Sequence, residues 1–148
     1  MLFRSAEGIV FVPQQSPARR PTQRKPRTYA TLEDARNAAL YRAPAAKVHT
    51  YVYSHDGGEV AGAVVRLDLR DGGKEFRQLA ATERGWVIGA MPEPRPLYGR
   101  SIEGSVYVVE GETCVEAIRR LGLEAVTSSG GSNAARRSDW RQIGRAHV

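Results

Sequence analysis

The sequence predicts an α+β fold: an antiparallel β meander with one flanking helix, followed by a strand–helix–strand unit. Three observations predict it. Apolar and β-branched stretches between positions 47 and 79 are separated by Asp56-Gly57-Gly58 and Asp71-Gly72-Gly73, the mark of successive hairpins. Ser105–Gly131 then reads as an apolar strand, an acid-Gly-acid turn, a short helix, a second strand and a Gly-Gly loop. A strand–helix–strand unit this short joins parallel neighbours through a crossover.

Each element has its own justification. Thr31–Arg42 is expected to be a helix, with Thr31 as cap and Asp34 at the capping-box position. Leu32, Ala35, Ala39 and Leu40 form its apolar side, and Pro44 stops it. Lys47–Ser54 and Glu59–Leu69 are strands joined across His55–Gly58. Lys74–Leu79 is the third strand and Trp86–Ala90 a weaker fourth. Three prolines make Met91–Leu97 an irregular connector. On the second strand, period-two counting puts Ala61, Ala63, Val65, Leu67 and Leu69 on the core side, and Val60, Gly62, Val64, Arg66 and Asp68 on the other. On the third, Lys74, Phe76 and Gln78 share one face and Glu75, Arg77 and Leu79 the opposite one. Lys74 and Arg77 can enter one groove only across a bulge.

In the later unit Val106–Val109 is a continuous apolar run, as a strand covered on both faces requires. Glu110 and Glu112 sit at its exit, where α/β sheets place their ligands. Thr113 and Glu116 make a T-x-x-E capping box. Cys114, Ala117, Ile118 and Leu121 fall at i, i+3, i+4 and i+7 and predict the buried stripe. Gly122 reads as the left-handed terminator, with Leu123 beside it, and Glu124–Thr127 restarts as a strand.

Composition bounds the function. The chain has 148 residues, of which 41% are hydrophobic, so it suits one domain or pieces of two. Its mean hydropathy is −0.43, and no apolar run approaches the ~20 residues of a membrane span, so no membrane partner is expected. One cysteine excludes an internal disulfide framework and fits a reducing, cytoplasmic setting. The formal charge is +6, and a basic excess favours a polyanionic partner. Much of it lies in Arg19–Arg27, inside a segment, residues 6–28, that holds an N-terminal strand and a Pro-rich linker. This run is either a solvated tether or a phosphate-binding arm. Residues 1–5 (MLFRS) and 143–148 (IGRAHV) translate the two orientations of a common short-read sequencing adapter, so the authentic segment is expected to be about Ala6–Arg141. Without Arg4 and Arg145 the balance is 20 basic against 16 acidic residues, or +4.

The order Asp56-Gly57-Gly58, Val64-Val65-Arg66, Lys74-Glu75-Phe76-Arg77, Pro96-Leu97-Tyr98-Gly99 and Val108-Val109-Glu110-Gly111 resembles bacterial-type DNA primases. It is most similar to the Toprim-containing primase/helicases of phages and mobile elements. The resemblance spans roughly Val48–Asp139. It implies that residues 29–99 form a primase-like α+β subdomain and 100–142 the N-terminal half of a Toprim domain. It further implies metal-dependent nucleotidyl transfer on single-stranded DNA, with magnesium and nucleoside triphosphates used by the parent protein in a bacterial or phage-infected cell. Glu110 takes the family's catalytic and metal-binding glutamate. Arg66, Lys74 and Arg77 take nucleic-acid or nucleotide contacts. The family's magnesium-binding Asp-x-Asp pair has no counterpart in these residues, and its acidic position early in the helix is Cys114, with Glu116 nearest. This chain is therefore expected to be inactive alone and to hold no magnesium tightly. A nucleic-acid-binding adaptor and a Toprim nuclease or topoisomerase-like enzyme are the alternatives.

Other chemistry is less well marked. His49 and His55 lack partners at zinc-ligand spacing, and a family zinc ribbon would lie upstream. Ser128–Ser132 is either a phosphate cradle or an ordinary turn, since it lacks the Lys-Ser/Thr end of a P-loop. Cys114 is expected to pack in the core, as are Trp86 and Trp140.

Overall fold

The structure, a computed structural model, describes residues 25–99 and 104–143. The expected N-terminal strand and most of the Arg19–Arg27 run lie outside these residues. The fold is α+β. Strands β1 (Thr28–Tyr29), β2 (Ala45–Ser54), β3 (Val60–Leu69), β4 (Lys74–Thr82) and β5 (Gly85–Ile88) form one antiparallel sheet in the order β1-β5-β4-β3-β2. Consecutive neighbours from β2 to β5 make it the expected meander. A second sheet contains β6 (Tyr98–Gly99), β7 (Tyr107–Val108) and β8 (Ala125–Thr127) in the order β6-β8-β7, with β7 and β8 parallel.

Helix α1 (Leu32–Ala39) covers one face of the large sheet. Its cap is the one expected: the Asp34 amide donates to Thr31 Oγ1 at 3.1 Å, and that hydroxyl donates to the Asp34 carboxylate at 2.7 Å. The helix stops at Leu40, short of Pro44, because β2 already begins at Ala45. Ala35 packs on Ala63, Val65, Leu67 and Leu79, with Leu32, Ala39, Leu40, Tyr29 and Trp86 around them. This is the face that alternation assigned to the core, except that Ala61, next to the register shift between Tyr53 and Ser54, packs in the opposite core. The β3–β4 register is unbroken from Gly62 to Asp68, so no bulge brings Arg77 round to join Lys74. Arg77 lies on the α1 face and pairs with Glu75 at 2.5 Å.

The opposite face carries Tyr51, Tyr53, Val64 and Met91, against which Tyr98 packs. Gly62 lets this second core close, because a Cβ there would collide with Met91 and the Leu79 carbonyl. Helix α2 (Glu112–Arg120) joins β7 to β8. It ends as expected: Gly122, at φ +77°, donates to the Arg119 carbonyl and Leu123 to that of Ile118, the paired bonds of a Schellman motif.

Three expectations about this unit fail. Gly111, not Thr113, caps α2, and no side chain completes a capping box. The stripe Cys114, Ala117, Ile118, Leu121 is not the buried one. Cys114 and Ala117 are exposed and Leu121 is 75% exposed, whereas Glu112 and Val115 are buried and Glu116 is half-buried. The inward residues keep helical spacing but are displaced by two positions, about 200° around the axis. Strand β7 is an edge strand, so Tyr107 and Val108 are half-exposed instead of covered on both faces. The cause of the rotation is the polar surface on which α2 sits.

Candidate functional site

The Glu110 site is built where β7 and β8 end side by side. The Val109 amide donates to the Val126 carbonyl at 3.0 Å, extending the parallel ladder to the residue before Glu110. Glu110 is exposed, and with Val108, Val109, Ser128, Ser132, Ala135 and Trp140 it lines an open cleft of about 450 Å³. The other wall is the turn after β8, in which Ser128 Oγ donates to the Gly131 carbonyl at 3.2 Å. Trp140 is pinned by its indole N–H on the Ala135 carbonyl at 2.7 Å. Below the turn, the hydroxyls of Thr127 and Ser129 are fully buried without a partner among the described residues.

A larger cavity of about 850 Å³ lies at the β2–β3 hairpin, between His55–Gly58, Tyr98, Arg119 and Gln142. Gln142 closes it by donating to Asp56 at 2.9 Å and accepting from the Leu97 amide at 2.6 Å. It is the roomier space, yet the carboxylate at a parallel-strand exit lies in the smaller cleft, where α/β folds place ligands.

Among the described residues no three His, Cys, Asp or Glu side chains converge to hold an ion. Glu112, two positions from Glu110, is buried and accepts a 2.6 Å hydrogen bond from the Tyr53 hydroxyl.

That bond belongs to a polar seam joining α2 to the large sheet. Arg66 Nη1 donates to Thr113 Oγ1 at 2.7 Å, while its Nε donates to Asp68 at 2.8 Å. Tyr51 and Thr113 hydroxyls lie 3.3 Å apart, and the Tyr98 hydroxyl donates to Glu116 at 2.6 Å. The Tyr98 ring packs against both Tyr51 and Tyr53 at 5.4 Å. Burial, reinforced by the Glu112 carboxylate, holds the Tyr53 phenol well above its ordinary range. Burial and Glu116 do the same to Tyr98. The Arg66 hydrogen bond, helped by His49 at 3.4 Å, lowers the Asp68 carboxyl below the usual range.

The seam redistributes the expected contacts. Arg66 faces away from the main core as expected, but its guanidinium is occupied by Thr113 and Asp68. Lys74 lies exposed on the same face, and Arg77 lies on the other. Glu116 serves Tyr98, not a cap. Tyr51 and Tyr53 were missed by sequence reasoning, while Glu112 was placed only at the strand exit and Tyr98 only within a motif, neither as a partner in this seam. Their one local signal is that Tyr51 and Tyr53 alternate in phase with His49. No protein-family model, curated protein or solved structure matches the chain. Among the described residues no helix is long and apolar enough to cross a membrane.

Proposed function

We propose that the chain is part of a Toprim-type DNA primase, of the primase–helicase kind, that acts in replication by metal-dependent nucleotidyl transfer on single-stranded DNA. The observation that carries this reading is the exposed Glu110 at the carboxyl end of a parallel strand, opening on a cleft walled by the Ser128–Ser132 turn. A carboxylate there can accept a proton from an attacking hydroxyl. Arg66 touches the first turn of α2 three residues from Glu110, so the basic sheet face is continuous with the carboxylate end of the unit. The parent's magnesium and nucleoside triphosphates come from the resemblance, and Glu110 alone does not hold such an ion. Its solitude favours the adaptor reading for this chain taken by itself.

The test is primer synthesis on a single-stranded template. This chain should make no primers. A gene product that also contains the Asp-x-Asp strand should make them, and Glu110→Gln should lower its rate at least ~10²-fold, the scale of a lost general base. Undiminished synthesis by that variant would remove Glu110 from the chemistry.

A further inference from the structure

The large sheet extends beyond the area that α2 covers, and the part left open has a specific composition. On the α2 face, the row His49–Arg66–Phe76 crosses β2, β3 and β4, and the row Lys47–Asp68–Lys74 lies next to it. Phe76 is 52% exposed, on the part of β4 that pairs with β3 but lies before the Leu79–Thr82 stretch to which β5 pairs. Lys47 and Lys74 are exposed as well, and His49 is half-exposed. Edge protection is a structural reason for a charge such as Lys74 on this half of β4, but it does not explain the exposed ring of Phe76 two positions along, which an unprotected edge would not carry. The one acid in the patch, Asp68, is engaged by Arg66 and His49. The surface is thus an uncovered aromatic ring with lysines beside it, and these are the two components that hold single strands: a stacking plane for a base and cations for the backbone.

We propose that this open end of the sheet binds single-stranded DNA, with a base stacked on Phe76 and phosphates held by Lys47 and Lys74. Lys47 and Lys74 stand two strand spacings apart, about 10 Å, with the Phe76 row alongside, so backbone and base can be held together. Arg66 is a positioning residue. It fixes Asp68 and the first turn of α2, and it connects the patch to the helix that begins beside Glu110. The proposal rests on the nucleic-acid half of the reading above and not on the catalytic half.

Fluorescence anisotropy with the whole chain tests it, using a short labelled oligo-dT and an abasic oligonucleotide of equal length over a salt series. Phe76→Ala should weaken oligo-dT binding about tenfold, within the range for loss of one stacked base, and leave abasic binding unchanged. Phe76→Trp should retain binding, with an emission change that oligo-dT produces and the abasic strand does not. Lys47→Ala with Lys74→Ala should weaken both ligands and reduce the salt slope by ~1–2 units. Phe76→Leu keeps an apolar side chain and should behave like Phe76→Ala, which separates lost stacking from lost folding. Equal wild-type affinity for both ligands, or full loss of binding on deleting Arg19–Arg27, would overturn the platform while leaving a nucleic-acid-binding chain. Binding of neither ligand would overturn the nucleic-acid reading too.

Discussion

The two faces of the large sheet are each covered by a short helix, and the contacts are opposite in chemistry. Helix α1 lays Ala35 on Ala63, Val65, Leu67 and Leu79, an apolar contact with no specific pairing. Helix α2 meets its face through side-chain hydrogen bonds from Tyr53 and Arg66 to Glu112 and Thr113, with Tyr98 of β6, packed on the same tyrosines, donating to Glu116. The first interface tolerates sliding, because burial is non-directional. The second fixes a register, because each buried donor must find its own acceptor. A helix that starts two residues after Glu110, at the mouth of a cleft, benefits from the second kind of attachment.

The sharpest break between the faces should come from the apolar one. Leu67 and Leu79 are fully buried. Leu67→Ala should cost about 2–5 kcal/mol, as for other core truncations that leave a cavity. Urea denaturation should show a lower midpoint with an unchanged slope. A loss below ~1 kcal/mol would mean that α1 collapses into the gap and that this core is loosely packed.

The polar face should answer less strongly and with a different signature. Tyr53→Phe removes the donor to a buried carboxylate and should cost about 1–3 kcal/mol. Adding Glu112→Leu should recover much of the loss, since removing both partners of a buried pair can be nearly neutral. Failure of the double variant to recover would show that Glu112 matters beyond its bond to Tyr53. The pH dependence gives a second handle. The folded-state Tyr53 is shifted above the 10.0 of an ordinary phenol. Its stabilising contribution is therefore complete below about pH 10 and is lost as pH rises towards the folded-state value. Tyr98 is shifted in the same sense and adds to the alkaline slope. Denaturation midpoints between about pH 9 and 11 should fall more steeply in the wild type than in Tyr53→Phe.

This contrast also explains what could be read in advance. Alternation along Ala63–Leu69 identified the α1 face correctly because an apolar core leaves a periodic trace in its own strand, whereas Ala61, beside the β2–β3 register shift, packs in the opposite core. The Thr31 cap and the Gly122 terminator were legible for the same reason: cause and effect lie within a few residues. The α2 seam was not. Arg66 and Thr113 are 47 positions apart, and Tyr51 and Thr113 are 62 apart. Nothing within α2 announces that the surface awaiting it offers phenols and a guanidinium. Its apolar stripe was real as a pattern, but polar partners turned the other side inward. Glu110 was placed correctly at a strand exit, whereas Arg77 failed because its strand is regular, and Phe76 was counted only as a neighbour of Lys74.

The smallest expected effect tests that rotation directly. If Cys114, Ala117, Ile118 and Leu121 formed the buried stripe, Leu121→Ser would empty part of a core and cost several kcal/mol. In the structure Leu121 is 75% exposed, and its amide, not its side chain, closes the end of α2 on Ile118. Leu121→Ser should therefore change stability by no more than about 0.5 kcal/mol, the range for surface positions. Cys114 supplies the matching chemical probe. Being exposed, its thiol should react with a maleimide in the native protein without denaturant. A silent Cys114 together with a strongly destabilised Leu121→Ser would put the apolar stripe back against the sheet. The Tyr53–Glu112 bond would then have to be abandoned, because one helix cannot present both sides to the same surface.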